Sequence, residues 1–178
     1  ERCLELVQQI RSEVSIPLAI KIGPYFTALA NFAVRLMGAG ANGIVLFNRF
    51  LQPDIEMETL SVQPRLTLST SHELRLPLRW VAMLRGHIKG SIGATGGAHT
   101  AADILKLLLA GADAVLMASA LYQKGPDQLL RLLSEIRDWM GEREYHSIEQ
   151  LKGSLSQQNS PDPEAYEWRV TAPSNFVA

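Results

Sequence analysis

The sequence predicts an α/β fold built on parallel strands. Short apolar segments alternate along the chain with longer segments whose apolar residues recur at helical spacing. Strands that are separated by helices pair in parallel through right-handed crossovers. A glycine-rich turn at 93–97 stands between an apolar segment and the start of a helix. Four such units form half of an eight-stranded (β/α)₈ barrel or a small open sheet, and the pattern leaves both possibilities open.

In the first part of the chain, helices and strands are separated by residues that break regular structure. The predicted segments are a helix at 1–13, a strand at 18–22, a helix at 27–37 and a strand at 43–47. Pro17 ends the first helix, and Gly23-Pro24 breaks the strand that follows it. Gly38 and Gly40 come directly after the second helix, where glycine is the commonest stop signal.

Residues 49–76 interrupt this alternation. Pro53 and Pro64 disfavour a helix, and Thr, Leu and Ser alternate over 67–71. We therefore predict a long excursion that contains a small β-hairpin. Excursions of this length commonly serve as active-site lids or subunit contacts.

The β/α alternation resumes after the excursion. The predicted segments are helices at 77–84, 100–110, 126–140 and 147–157, with strands at 88–92 and 114–117. Pro77 opens the first of these helices and Gly111 closes the second. Ser147 with Gln150 three residues later predicts a capping box for the last helix. Residues 159–178 are predicted to be loop or a loosely attached end.

The composition is that of a globular domain. The 178 residues are 47% apolar and 20% charged, which excludes a disordered chain. A net charge of −1 gives no reason to expect nucleic acid or an anionic membrane as a partner. Cys3 is the single cysteine, so an internal disulfide is excluded and a reducing, cytoplasmic location is expected. No apolar run reaches the roughly 18 residues that a membrane-spanning helix needs.

Small residues cluster at the ends of the last two predicted strands. The cluster comprises Thr95, Gly96, Gly97, Ser119 and Ala120. Such residues let backbone N–H groups come close to an anion, and many (β/α)₈ barrels hold a phosphate at these strand ends. The alternative is that the glycines serve only tight packing. We favour the phosphate.

Polar residues in or after the first two predicted strands are further candidates for a site. Lys21 is either a cation aimed at an anionic or electron-rich ligand, or a lysine that extends its ammonium group to solvent at a strand edge. Asn48 is either a turn former or an amide that binds a polar ring. The four histidines lack metal-ligand spacing, so no metal site is predicted.

The order and spacing of several motifs over residues 1–158 resemble the second half of the dihydroorotate dehydrogenase family. The motifs are Ile20-Lys21-Ile22-Gly23-Pro24-Tyr25-Phe26, Phe47-Asn48, Leu68–Trp80, Ala94-Thr95-Gly96-Gly97, Ala118-Ser119-Ala120 and Tyr145–Gly153. This resemblance implies a (β/α)₈ barrel of which the chain carries about the last four units. Residues 1–158 would then be the C-terminal half of an FMN-binding barrel, and 159–178 a tail.

The resemblance also implies an activity, a cofactor and roles for the candidate residues. The family oxidises dihydroorotate to orotate in pyrimidine biosynthesis, with FMN as the hydride acceptor. Lys21 would contact the pyrimidine edge of the flavin, and Asn48 would bind the substrate. The cluster of small residues, Thr95, Gly96, Gly97, Ser119 and Ala120, would hold the FMN phosphate.

The chain departs from the family pattern in four places. Arg49 stands where the family usually has serine, and Leu68–Ser71 lacks the glycines of a flavin-contacting segment. The Cys or Ser base of the family lies in the first half of the barrel, so no catalytic base is assigned here. The ending Trp168–Pro173 is also unlike the family's terminus.

These departures leave three functional hypotheses. The first is an FMN-dependent dehydrogenase of dihydroorotate, of which this chain alone is inactive. The second is a related flavin barrel that acts on another reduced pyrimidine. The third is a non-catalytic half-barrel. Because half a barrel leaves two strand edges unpaired, we also expect a homo-oligomer.

Overall fold

The computed structural model describes residues 1–167, and residues 168–178 lie outside the described part. The helices are α1 (Arg2–Glu13), α2 (Leu29–Gly38), α3 (Arg75–Leu84), α4 (Ala101–Ala110), α5 (Ser119–Lys124), α6 (Gln128–Glu142) and α7 (Ile148–Leu151). The strands are β1 (Ala19–Ile22), β2 (Gly43–Leu46), β3 (Gln52–Glu56), β4 (Ser61–Arg65), β5 (Ser91–Thr95) and β6 (Ala114–Leu116). Short 3₁₀ helices cover Ser71–Leu74 and Pro163–Tyr166.

Four strands form one parallel sheet in the order β1-β2-β5-β6. Each strand is followed by helical structure before the next strand of this sheet begins. The predicted α/β fold with parallel pairing is therefore confirmed. Because the strands are parallel, their carboxyl ends lie along the same edge of the sheet, and everything that follows each strand meets there.

The core is almost entirely aliphatic and lies between the sheet and its helices. Ile44 and Leu46 of the central strand β2 are fully buried. Leu36 of α2, Val81 of α3 and Leu107 of α4 are buried equally completely. A central parallel strand is covered on both faces, which is why β2 reads as a continuous apolar run in the sequence.

The prediction for the third strand of the main sheet was displaced by three residues. The sequence predicts a strand at 88–92 followed by a turn at 93–97, whereas β5 covers Ser91–Thr95. Gly93 and Ala94 therefore lie inside the strand, and only Gly96 and Gly97 form the turn. Gly93 is tolerated because its neighbours are close: an added Cβ would meet the side chains of Val45 and Leu116 at 3.2 and 3.4 Å. Pairing with β2 and β6, rather than local apolarity, sets the position of the strand.

The helix predicted at 147–157 is wrong beyond its first turn. Helix α7 ends at Leu151, and Gly153 adopts a positive φ of 75°. The backbone N–H groups of Gly153 and Leu155 donate to the carbonyls of Leu108 and Leu109, at 2.9 Å each. These carbonyls belong to the end of α4, where intrahelical partners are missing, so the segment caps α4 instead of continuing its own helix.

The capping box predicted for the last helix was partly correct. Ser147 caps α7 by accepting the Gln150 N–H, but the Gln150 side chain accepts from the His146 N–H rather than from Ser147. Helix α5, which begins at Ser119, was not predicted. The remaining helices and strands lie within a few residues of their predicted bounds.

The excursion at 49–76 does contain the predicted hairpin, formed by the antiparallel strands β3 and β4. In the predicted tail, the Tyr166 hydroxyl donates to the Leu155 carbonyl at 2.6 Å and the Arg79 side chain donates to the Tyr166 carbonyl. The remainder, 168–178, is outside the described residues, so the character of the tail stays a prediction. None of the helices within residues 1–167 combines the length and apolarity that crossing a membrane requires.

Candidate functional site

Two adjoining cavities open at the carboxyl edge of the sheet. The inner cavity, of about 150 Å³, is lined by Lys21, Phe47, Arg49, Ser69, Thr95, Gly96, Gly97, Ala98, Leu116, Met117, Ala118 and Ser119. The outer cavity, of about 180 Å³, is lined by Pro24, Tyr25, Phe47, Asn48, Arg49, Phe50, Gln52, Glu73, Leu76, Pro77, Thr95 and Gly96. Phe47, Arg49, Thr95 and Gly96 line both cavities, so the two spaces share a wall.

The glycine turn after β5 requires two consecutive glycines. Gly96 and Gly97 have φ values of 96° and 82°, a region that side-chain-bearing residues rarely adopt. A Cβ on Gly97 would also lie 2.8 Å from the Leu74 Cα and closer still to the Leu74 nitrogen. A Cβ on Gly96 would meet nothing within 4 Å. Backbone conformation therefore requires glycine at both positions. Packing against Leu74 is a further requirement at Gly97 but not at Gly96.

Buried backbone donors follow strands β5 and β6. Gly97, Ala98 and Ala120 are all buried. Within residues 1–167 no protein acceptor is hydrogen-bonded to the N–H groups of these three residues. Buried backbone N–H groups nearly always have a partner, and an anion bound in the turn would provide one.

The charges around the inner cavity are also suited to an anion. Lys21 and Arg49 are the charged side chains that line it, and no carboxylate lines it in the described part of the chain. Lys21 forms no ion pair with another residue of 1–167. The inner cavity is therefore cationic.

A polar network, which the sequence did not predict, ties the excursion to the inner cavity. The Ser69 N–H donates to the Ser119 hydroxyl at 3.0 Å, and the Ser69 hydroxyl lies 3.1 Å from His99 Nε2. Ser69 and His99 are both buried. Ser119 thus accepts from the excursion with its lone pair and keeps its own O–H available as a donor.

Asp103 anchors the same region from helix α4. Its carboxylate accepts the Ser71 hydroxyl at 2.7 Å and the N–H groups of His99 and Thr100 at 3.1 and 3.0 Å. Burial acts to raise the pKa of Asp103, but these hydrogen bonds outweigh it and hold the pKa below its usual value. Asp103 also forms a capping box with Thr100 at the first turn of helix α4.

The outer cavity combines an aromatic wall with amide groups and one ion pair. The rings of Tyr25 and Phe50 lie 5.5 Å apart between centroids. Asn48 holds its place through its backbone N–H, which donates to the Ile22 carbonyl at 2.7 Å. Arg49 forms an ion pair with Glu73 and also donates from Nε to the Thr67 carbonyl at 2.8 Å.

The predicted site residues therefore divide between the two cavities. Lys21, Thr95, Gly96, Gly97 and Ser119 line the inner cavity. Asn48 lines the outer cavity, and Ala120 is buried and lines neither cavity. Within residues 1–167 no group of three or more His, Cys, Asp or Glu side chains is arranged to hold a metal ion.

Comparison with known proteins connects this arrangement to one family. The family model described as dihydroorotate dehydrogenase matches residues 2–140, which is most of the chain and includes both cavities. The chain belongs to the dihydroorotate dehydrogenase family. The resemblance predicted from the sequence is thereby confirmed.

Relatives in the family are considerably longer than this chain. The catalytic subunit of dihydroorotate dehydrogenase B (NAD(+)) from Listeria innocua is 27% identical over 158 residues, covering 86% of this chain and 51% of the relative. Dihydroorotate dehydrogenase A (fumarate) from Lactobacillus helveticus is 30% identical over 124 residues, covering 67% and 40%. The chain thus spans about half the length of the curated relatives it matches.

Solved structures support the same fold. A crystal structure of DHODH from Eimeria tenella in complex with ferulenol matches with a TM-score of 0.62 at 22% identity, covering 77% of this chain and 38% of that one. The four parallel β/α units of this chain correspond to part of such a barrel. The prediction of a partial (β/α)₈ barrel is confirmed.

Proposed function

We propose that this chain is the FMN-binding part of an oxidoreductase that removes two hydrogens from adjacent ring carbons of a reduced pyrimidine. The observation that carries the proposal is the inner cavity, where two cations and the glycine turn face one space. We propose the catalytic activity and the substrate for the complete protein, not for this chain alone.

The residues of the inner cavity suit FMN. The phosphate would accept the buried N–H groups of Gly97 and Ala98 and the hydroxyl of Ser119, all from residues that line the cavity. Ala120 follows Ser119 and would add its buried N–H from just outside the lining. Lys21 would lie beside the pyrimidine edge of the ring system, where a cation stabilises negative charge. When bound, FMN supplies the hydride-accepting chemistry that no amino-acid side chain offers.

The outer cavity would hold the substrate beside the shared wall. Asn48 presents an amide to a ring that lies in this cavity, and the Tyr25–Phe50 wall covers its apolar side. Among the described residues, Glu73 is the sole carboxylate that lines the outer cavity, and it forms an ion pair with Arg49. We therefore expect the catalytic base to come from a part of the protein that this chain does not include.

Two substrates are candidates for this cavity. The names of the relatives make dihydroorotate the first. Another reduced pyrimidine is the second, and the Arg49–Glu73 pair is the observation that favours it. The single cysteine, which is exposed, supports a reducing and hence cytoplasmic setting.

Anaerobic reduction of the bound flavin tests the proposal. The complete protein, expressed from its gene, should retain FMN, and dihydroorotate or dihydrouracil should bleach its visible absorption. Asn48→Ala should slow bleaching while FMN remains bound, whereas Asn31→Ala, an exposed change on α2, should have no effect. Protein that retains no FMN, or FMN that neither compound bleaches, would contradict the proposal.

A further inference from the structure

The inner and outer cavities differ in charge because Lys21 lines the inner one alone and Glu73 the outer one alone. Arg49 lines both cavities. The inner cavity therefore carries the positive charges of Lys21 and Arg49. The charged side chains of the outer cavity are Arg49 and Glu73, whose charges cancel. A carboxylate on a molecule in the outer cavity would therefore find no unpaired cation among the described residues that line it.

The hydrogen bonds of Arg49 also disfavour a carboxylate. A guanidinium receives a carboxylate through two parallel N–H donors on one edge, either Nε with an Nη or the two Nη together. Arg49 donates from Nε to the Thr67 carbonyl and from Nη1 to Glu73. Nε and one N–H of Nη1 are thus already engaged. The remaining N–H groups of Nη2 suit single contacts to a carbonyl oxygen.

The acceptors in the outer cavity complement these single donors. Asn48 Nδ2 is directed to the Lys21 carbonyl at 3.5 Å, which leaves its side-chain oxygen as an acceptor. Glu73 accepts the Thr70 N–H at one oxygen and Arg49 at the other, and each carboxylate oxygen has a second lone pair. A guest that presents a carbonyl to Arg49 and ring N–H groups to these oxygens would satisfy all of them.

We infer that the substrate of the outer cavity is an uncharged ring with alternating C=O and N–H groups, a cyclic imide or ureide without a carboxylate. The inference rests on the proposed function, and it makes Glu73 a residue that determines specificity. In this arrangement Glu73 neutralises the cation that would otherwise receive an acidic ring and holds Arg49 in its monodentate geometry. A reduced pyrimidine that lacks the acid group meets these requirements.

Uracil and orotate are matched probes because they differ only by one carboxylate. In the FMN-loaded complete protein, titration followed by the flavin spectrum should give binding of uracil about tenfold tighter than that of orotate, the size expected for one partly screened charge pair. Equal or tighter binding of orotate, or binding of neither ring, would overturn the inference. Protein that takes up no FMN would instead refute the proposed function.

Glu73→Gln tests the role of the charge. Glutamine can keep the hydrogen bond from Thr70, because the third position of a capping box accepts either residue. The variant should bind orotate about tenfold more tightly and change uracil binding less than about threefold. Glu58→Gln removes the same charge from the exposed hairpin turn and should alter neither affinity. Unchanged orotate binding in FMN-loaded Glu73→Gln would show that Glu73 does not set specificity.

Discussion

Replacement of Gly97 by alanine separates backbone strain from packing at the proposed phosphate site. Gly97 has a φ of 82°, and an L-residue in the left-handed region costs about 1–2 kcal/mol. The added Cβ would also lie 2.8 Å from the Leu74 Cα, which is backbone that cannot rotate away. Overpacking of this kind costs about 1–3 kcal/mol. We expect Gly97→Ala to lower the free energy of unfolding by about 2–5 kcal/mol in total.

Gly96→Ala is the matched control because it has the free-energy cost of a positive φ without the steric clash. Its φ is 96°, and its added Cβ would meet nothing within 4 Å. The expected loss is therefore about 1–2 kcal/mol. The complete protein should be compared by urea denaturation without added FMN, since a ligand that binds the folded state would mask part of the difference. Equal losses for the two variants would refute the account of the turn.

Three further predictions concern a charge, a carboxylate and the sheet edges. Lys21→Met in the FMN-loaded complete protein should slow flavin reduction by about ten- to a hundredfold at an unchanged urea midpoint, and an unchanged rate would return Lys21 to the role of an exposed strand residue. The lowered pKa of Asp103 should stabilise the fold above the usual carboxyl pKa of about 4, and the contribution should be lost as pH falls through the lowered value. The free-energy difference between wild type and Asp103→Asn should therefore be constant at about pH 5–7 and shrink in acid, whereas a difference independent of pH would contradict this role. The 178-residue chain alone should form dimers or larger species, because β1 and β6 each have an unpaired edge in the described sheet. It should also be inactive, because no catalytic base is assigned to it. Light scattering that shows a folded monomer, or measurable turnover, would contradict these expectations.

Features set by short-range signals could be predicted from the sequence. Strand β2 is a continuous apolar run, and helix α4 begins after Thr100 and ends at Gly111 as the capping rules require. The candidate residues of the inner cavity could be predicted for the same reason. Parallel strands bring their carboxyl ends together, so residues that follow separate strands meet at one edge of the sheet.

Features set by long-range partners could not be predicted. The Ser69–Ser119 hydrogen bond joins residues 50 positions apart, and no local pattern marks either serine as a partner. The position of β5 depends on pairing with β2 and β6, which overrides the apolar run that starts at Ile88. The residues after Leu151 donate hydrogen bonds to carbonyls of α4 rather than continue a helix. The sequence of this segment alone does not show that these distant acceptors are available.

The affinity for FMN relative to riboflavin is the measurement that tests the central claim most directly, because the two flavins differ by the phosphate. With several charge-assisted hydrogen bonds to the phosphate at about 1.5–3 kcal/mol each, the complete protein should bind FMN at least about a hundredfold more tightly. Gly97→Asp, which places a carboxylate in the turn, should abolish this preference. Equal affinities of the wild-type protein for the two flavins, or a preference that survives Gly97→Asp, would contradict a phosphate site at the glycine turn.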